Sequence, residues 1–150
     1  LFDSLNAHDH SGIAACYHEQ ATFRDIAFTL NGRVQIHAMW DMICSPSEQG
    51  TPSDIVATVS ELSANDKTGK ARIVDDYTLR STGRTVHNAI DSSFRFQDGL
   101  IISQVDHCSA PAWARQAYGP GMRLLMGYVG PFRRWGAMRK LKSIRPDAFR

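Results

Sequence analysis

Hydrophobic spacing along the chain switches from helical to alternating, and the order of the switch suggests the fold. Leu1, Phe2 and Leu5 fit the end of a helix, which the polar cluster His8-Asp9-His10-Ser11-Gly12 then breaks. Ile13 to Tyr17 reads as a short second helix with Ser11 or Asp9 as its cap. Residues 21 to 31, ATFRDIAFTLN, alternate well enough for one short strand or two with a bend, and Asn31-Gly32 marks the turn that follows. From Arg33 to Ile43 the apolar positions Val34, Ile36, Met39, Trp40 and Ile43 recur at helical spacing, so a third helix lays that stripe onto a sheet. Pro46, Gly50 and Pro52 exclude regular structure in the loop after it.

Three strands follow, at roughly 54 to 63, 70 to 81 and 84 to 97, and a fourth at 100 to 109 closes a hairpin around Gln97-Asp98-Gly99. Helices first and strands after argue for an α+β domain with an antiparallel meander. The hairpin has two registers. A two-residue Asp98-Gly99 turn sets Phe96 against Ile101 and brings Val105 and His107 to the phenylalanine face. A three-residue loop with Gly99 left-handed sets Phe96 against Leu100 and Phe94 against Ile102, which brings in Gln104 and Asp106. Pairing both phenylalanines with aliphatic partners favours the three-residue loop.

Taking the more apolar alternating set of each strand as the inner face turns Asp75 and Tyr77 inward, then Asn88 and Ser92, then Gln104 and Asp106. A filled core does not tolerate so many polar groups, since each unpaired one costs roughly 1 to 3 kcal/mol. A small-molecule cavity with apolar walls accounts for them. Hydrogen bonding of Asp75, Tyr77 and Asn88 to each other or to buried water, or their place at a dimer interface, is the plainer alternative. Asp25, within TFRDIAF, joins the set: a carboxyl against aromatic walls is raised toward the range of a general base, unless Arg24 or Arg33 pairs with it.

Composition narrows the partners. The 150 residues, 43% hydrophobic, suit one domain with a real core. Cys16, Cys44 and Cys108 lack metal or redox spacing and read as small buried residues of a reducing, cytoplasmic setting. The His-Asp-His triplet has no second ligand cluster to converge with, so neither a metal nor another cofactor is expected. No apolar run approaches membrane-spanning length, and no secretory leader is visible. The net charge of +2 hides an asymmetry: nine Lys or Arg and one Asp from Pro111 onward, against eight basic and fourteen acidic residues before it. That tail reads as a surface helix, interrupted at Gly127, Gly130 and Pro131, with nucleic-acid or membrane-surface contact as the lesser alternative.

The runs LNAHDHSGIAACYHEQATFRDIAF, NGRVQIHAMWDMI and SSFRFQDGLIISQVDH resemble the nuclear transport factor 2-like superfamily, above all its SnoaL-like polyketide cyclase and ketosteroid isomerase branches. The resemblance implies a cone-shaped α+β domain over residues 1–110, a curved antiparallel sheet packed on three helices with a ligand site at its mouth. Residues 111–150 are then a basic helical extension packed on the domain or on a partner. It also implies a homodimer paired through the sheet. The isomerase general base falls on Asp25, and Trp40 on the helix position that packs against the pocket wall. The isomerase's oxyanion-binding tyrosine would fall near Leu1 and its protonated aspartate near Ser92, so two of the three isomerase groups are changed. The expected enzyme therefore uses Asp25 and Asp106 as base and acid on a small apolar ligand, in an isomerisation, cyclisation or dehydration. Trp40, Asp75, Tyr77, Asn88, Ser92 and Gln104 would bind that ligand. A non-catalytic ligand-binding or dimerisation module of the same fold is the second reading.

Overall fold

The computed structural model describes residues 1–150. Three helices come first, α1 (Phe2–Asn6), α2 (His10–Ala15) and α3 (Arg33–Cys44), with the strands β1 (Tyr17–Arg24) and β2 (Thr29–Asn31) between the second and third. Four long strands follow: β3 (Val56–Ala64), β4 (Thr68–Leu79), β5 (Arg84–Gln97) and β6 (Leu100–His107). They form one six-stranded sheet in the order β2-β1-β6-β5-β4-β3. The meander is antiparallel, and β1 adds to its far side in parallel with β6.

The second helix is shifted from its expected place. Of the two candidate caps it is Asp9 that accepts the Gly12 N–H, at 2.9 Å, which starts α2 at His10 and ends it by Ala15. Tyr17 therefore opens β1 rather than closing a helix. Its fully buried ring continues the inward set Tyr17, Ala21 and Phe23.

Apolar faces of α1 to α3 meet the inner face of the sheet in one core: Leu5, Ile13, Ile36, Met39 and Trp40 pack with Phe23, Ile73, Ile90, Phe94 and Ile101. Burying such side chains stabilises a fold by about 1.5 to 3 kcal/mol each. Asn6 clips α1 to β3 by exchanging two hydrogen bonds with the Ala57 backbone, at 2.8 and 2.9 Å.

The hairpin resolves in neither of the expected ways. Asp98 and Gly99 both have positive φ, 52° and 77°, and Gln97 pairs with Leu100, so the turn has two residues rather than three. Phe96 accordingly faces Ile101. One step further, Arg95 pairs with Ser103, which leaves Ile102 unpaired as a bulge. Beyond it Phe94 opposes Gln104 and Ser92 opposes Asp106. The turn is that of the first register and the inward residues are those of the second.

The basic extension forms α4 (Ala110–Ala117), α5 (Pro120–Tyr128) and α6 (Gly130–Ile144), ending in a 3-10 turn at Pro146–Phe149. It packs on the domain. Leu141 is fully buried in the main core, and Arg145 meets Asp41 of α3 at 2.5 Å. The buried Arg133 guanidinium donates to the carbonyls of Ile26, Met126 and Gly127, tying α5 and α6 to the bend between β1 and β2. No helix is long and apolar enough to cross a membrane.

Candidate active site

Pairing across the sheet brings the acidic side chains together. Asp75 of β4 sits opposite Asn88 of β5, Ser92 opposite Asp106 of β6, and the β1–β6 pair Arg24 with Val105 leaves Asp25 one residue on, beside Asp106. Side chains at these positions share the inner face because β-strands alternate. The bulge at Ile102 is what puts Asp106 there and leaves His107 exposed.

A hydrogen-bond chain fixes Asp106. The Tyr17 hydroxyl donates to Gln104 Oε1 at 2.5 Å, the Gln104 amide donates to both Asp106 oxygens at 3.0 Å, and the Ser92 hydroxyl donates to Oδ1 at 2.6 Å. Gln104 and Ser92 are thus occupied in holding a carboxylate, leaving little of either for a ligand. Burial raises the Asp106 carboxyl above the ordinary range, against the pull of Ser92, Gln104 and His107. Burial also raises the Tyr17 phenol, which stays protonated as the end donor of the chain.

Asp25 is held differently. Its Oδ1 accepts the backbone N–H groups of Ala27 and Phe28, at 2.7 and 2.5 Å, in the tight bend after β1. Arg134 of α6 secures the same bend through the Asp25 carbonyl and the Thr29 hydroxyl. Burial pushes this carboxyl up to about 6, against the pull of the two amides, with the charge of Asp106 adding to the rise. Neither Arg24 nor Arg33 pairs with it; Arg33 meets Glu19 on the surface.

Asp75 has no such support. Its Oδ1 is buried and finds no hydrogen-bond donor. Burial pushes its carboxyl up to about 7, and the charges of Asp106 and Asp76 add to the effect. Tyr77, two residues along, accepts the Trp113 indole N–H of α4 at 2.8 Å, and burial raises its phenol to about 12. Asn88 lies against the half-buried Cys108, whose thiol burial pushes up.

Trp40 is buried against Phe23, with ring centroids 6.2 Å apart, and belongs to the packed core. Its indole N–H lies near the Tyr17 hydroxyl without reaching an acceptor in hydrogen-bond geometry. A concavity of about 500 Å³ opens on the outer face among Glu61, Lys70, Arg72 and Asp91, and the inner carboxyls Asp25, Asp75 and Asp106 are not among its lining residues. Ser92, Gln104 and Asp106 bond to one another; no hydrogen bond joins Asp75, Tyr77 and Asn88, the three for which mutual bonding is the plainer alternative.

Two contributors escaped the sequence reading. Tyr17 falls at the end of the helix that the apolar spacing suggests, whereas it opens β1 with its ring on the inner face. Trp113 lies in the extension, and no local pattern ties it to Tyr77 across 36 residues. The His-Asp-His triplet disperses: His8 bonds the Ile55 carbonyl, Asp9 caps α2, and His10 meets His37 at 2.8 Å.

Comparison with known proteins agrees with this architecture. No curated protein sequence matches the chain. Among solved structures it is similar to an LEH-like epoxide hydrolase of M. tuberculosis, at 11% identity and a TM-score of 0.59 over 93% of this chain and 89% of that one. It is similar also to a hypothetical protein of ketosteroid isomerase-like fold from Catenulispora acidiphila DSM 44928, in complex with trimethylamine, at 14% identity and 0.65 over 79% and 93%. A third is an epoxide hydrolase/cyclase-like enzyme of pyran ring formation in the polyether salinomycin, at 18% identity and 0.58 over 71% and 83%. At these identities the likeness is one of fold. A SnoaL-like domain model matches residues 1–104, and by that match the chain belongs to the SnoaL-like domain family of the nuclear transport factor 2-like superfamily.

Proposed function

We propose that the chain is an acid/base enzyme that moves a proton on a small, largely apolar ligand bearing a carbonyl or an epoxide oxygen. The observation that carries this reading is the buried, unpartnered Asp75 Oδ1 beside a second carboxyl, Asp106. A fold gains nothing from such a group, which costs roughly 1 to 3 kcal/mol when left unsatisfied. A site that needs a neutral carboxylic acid near pH 7 does gain from it.

Asp25 is the base. Its Oδ1 is anchored by two amides, its Oδ2 accepts no protein donor, and a value near 6 leaves it mostly ionised at pH 7 while still able to hold a proton. Asp75, and with it the Tyr77 hydroxyl, faces the oxygen on which negative charge develops; burial first, and then the charges of Asp106 and Asp76, favour the protonated form of Asp75. The apolar side chains on the same face, Phe23, Ile73, Ile90 and Phe94, belong to the packed core. Descriptions of two similar structures as an epoxide hydrolase and an epoxide hydrolase/cyclase-like enzyme support this class of chemistry.

Exchange of α-protons in deuterated water tests the reading, with a panel of cyclic ketones followed by proton NMR. Catalysed exchange of at least one ketone is expected, falling by roughly a hundredfold or more in Asp25→Asn. Full exchange by an Asp25→Asn, Asp106→Asn double variant would refute it.

A further inference from the structure

Of the nine large apolar side chains most exposed to solvent, Val34, Val56 and Leu62 stand apart and the other six gather in the extension. Met122, Leu124, Tyr128, Val129, Phe132 and Trp135 all lie on α5, α6 and the joint between them, with Leu124, Tyr128 and Trp135 exposed by 62%, 73% and 57%. Leu124 and Tyr128 are four apart on α5; Phe132, Trp135 and Arg139 recur at three and four on α6. Phe132 and Trp135 pack ring to ring at 6.2 Å, and the Arg139 guanidinium lies over the Trp135 ring at 5.2 Å. The same two helices carry the exposed cations Arg123, Arg139, Lys140 and Lys142, and no acidic residue occurs between Asp106 and Asp147. The opposite side of the same helices is spent on the domain, through Arg133 and Leu141.

We infer that α5 and α6 dock on the surface of an anionic lipid bilayer, with these six side chains entering the headgroup boundary and the arginines and lysines meeting lipid phosphates. Charge complementarity and side-chain type both point to this occupant. Tyr and Trp sit at headgroup level in membranes, aliphatic residues gain by entering hydrocarbon, and basic residues bind the anionic surface. A nucleic acid would use the cations and the rings but not Met122, Leu124 and Val129. A two-fold contact between copies would set one positive rim against another.

Sedimentation of the full chain with vesicles tests the inference, comparing phosphatidylcholine alone with phosphatidylcholine containing about 30% phosphatidylserine. Roughly tenfold more protein should pellet with the anionic vesicles, and the excess should be lost as salt shortens the reach of the charges. Arg123→Glu with Arg139→Glu and Lys140→Glu should abolish it. Trp135→Ala removes only an exposed ring; it should weaken binding several-fold and eliminate the blue shift of tryptophan emission that vesicles cause. Equal pelleting with both vesicle types would overturn the inference. So would a single-stranded oligonucleotide that displaces the vesicles completely, or a dimer in light scattering that Trp135→Ala dissociates.

Discussion

Replacing Asp75 with Asn should stabilise the protein, and most strongly at alkaline pH. A carboxyl raised from 3.8 to about 7 by folding prefers its neutral form in the native state by roughly 4 kcal/mol. Between those two values the native chain binds more protons than the unfolded one, so stability falls as pH rises from about 4 toward 7, and the penalty is complete above that. Asn stays neutral throughout, keeps the shape of the acid and adds an amide that can donate toward Asp106. Some of the proton belongs to the Asp75–Asp106 pair rather than to Asp75 alone, which brings the expected gain at pH 8 to about 2 to 4 kcal/mol. For a chain of this length that is roughly 4 to 16 °C in the unfolding midpoint. Thermal unfolding by circular dichroism from pH 4.5 to 8.5 reads it directly. Wild type and variant should agree at the acid end and separate as pH rises. Parallel profiles, or midpoints within about 1 °C of one another at pH 8, would show that Asp75 already has a partner in solution and would remove the main support for its role. A stabilised variant that has lost activity is what a strained functional group predicts.

Two further outcomes follow from the way the elements are joined. Arg145→Ala should cost about 1 kcal/mol at pH 7, allowing for the half-exposed guanidinium, because Arg145 holds the Asp41 carboxyl down at about 2. Since the native value lies below the unfolded one, that contribution is present above about pH 4 and disappears as pH falls through 2; chemical denaturation at pH 7 and pH 2 should show the difference only at the former. Deleting Val105 should move Asp106 from opposite Ser92 to opposite Ser93, turn it outward and break the Tyr17–Gln104–Asp106–Ser92 chain. A loss of about 3 kcal/mol or more in urea unfolding is expected, and an unchanged midpoint would refute the register described above.

Much of the architecture is legible because its signals are local. Val34, Ile36, Met39, Trp40 and Ile43 announce α3 by their spacing alone, and Asp98-Gly99 announces a hairpin by its backbone freedom. Alternation along β4 and β5 likewise suffices to turn Asp75, Tyr77, Asn88 and Ser92 inward. What alternation does not convey is which inward polar groups satisfy one another. Ser92 and Gln104 read as ligand-binding residues until Asp106 is seen between them, and Asp75 reads no differently from them although it alone is left without a donor. Long-range ties are equally silent: Arg133 reaches back 107 residues to the Ile26 carbonyl, and nothing in a run of basic residues says which one is buried.

The inner cluster depends on two departures from regular strand geometry. Were β6 unbroken after its two-residue turn, the phenylalanine face would receive Val105 and His107, an apolar side chain and a weak base, and Asp106 would look into solvent. Were β1 to run on without the bend at 25–28, Asp25 would lose the two amides that orient it, and Arg134 would lose the carbonyl it grips. Each irregularity breaks ladder hydrogen bonds that a regular sheet would keep, and each serves the carboxyls: the bulge brings Asp106 next to Asp75, and the bend sets Asp25 next to Asp106. Local rules fail together here, in the one part of the sheet where acidic groups are buried side by side, as they do where a fold gives up stability for a site. The extension reinforces the same place: Arg133 and Arg134 hold the bend from one side and Trp113 holds Tyr77 from the other. The basic tail is therefore structural support for the carboxyl cluster on its inner side, which leaves only its outer side, with Tyr128, Phe132 and Trp135, free to meet something else.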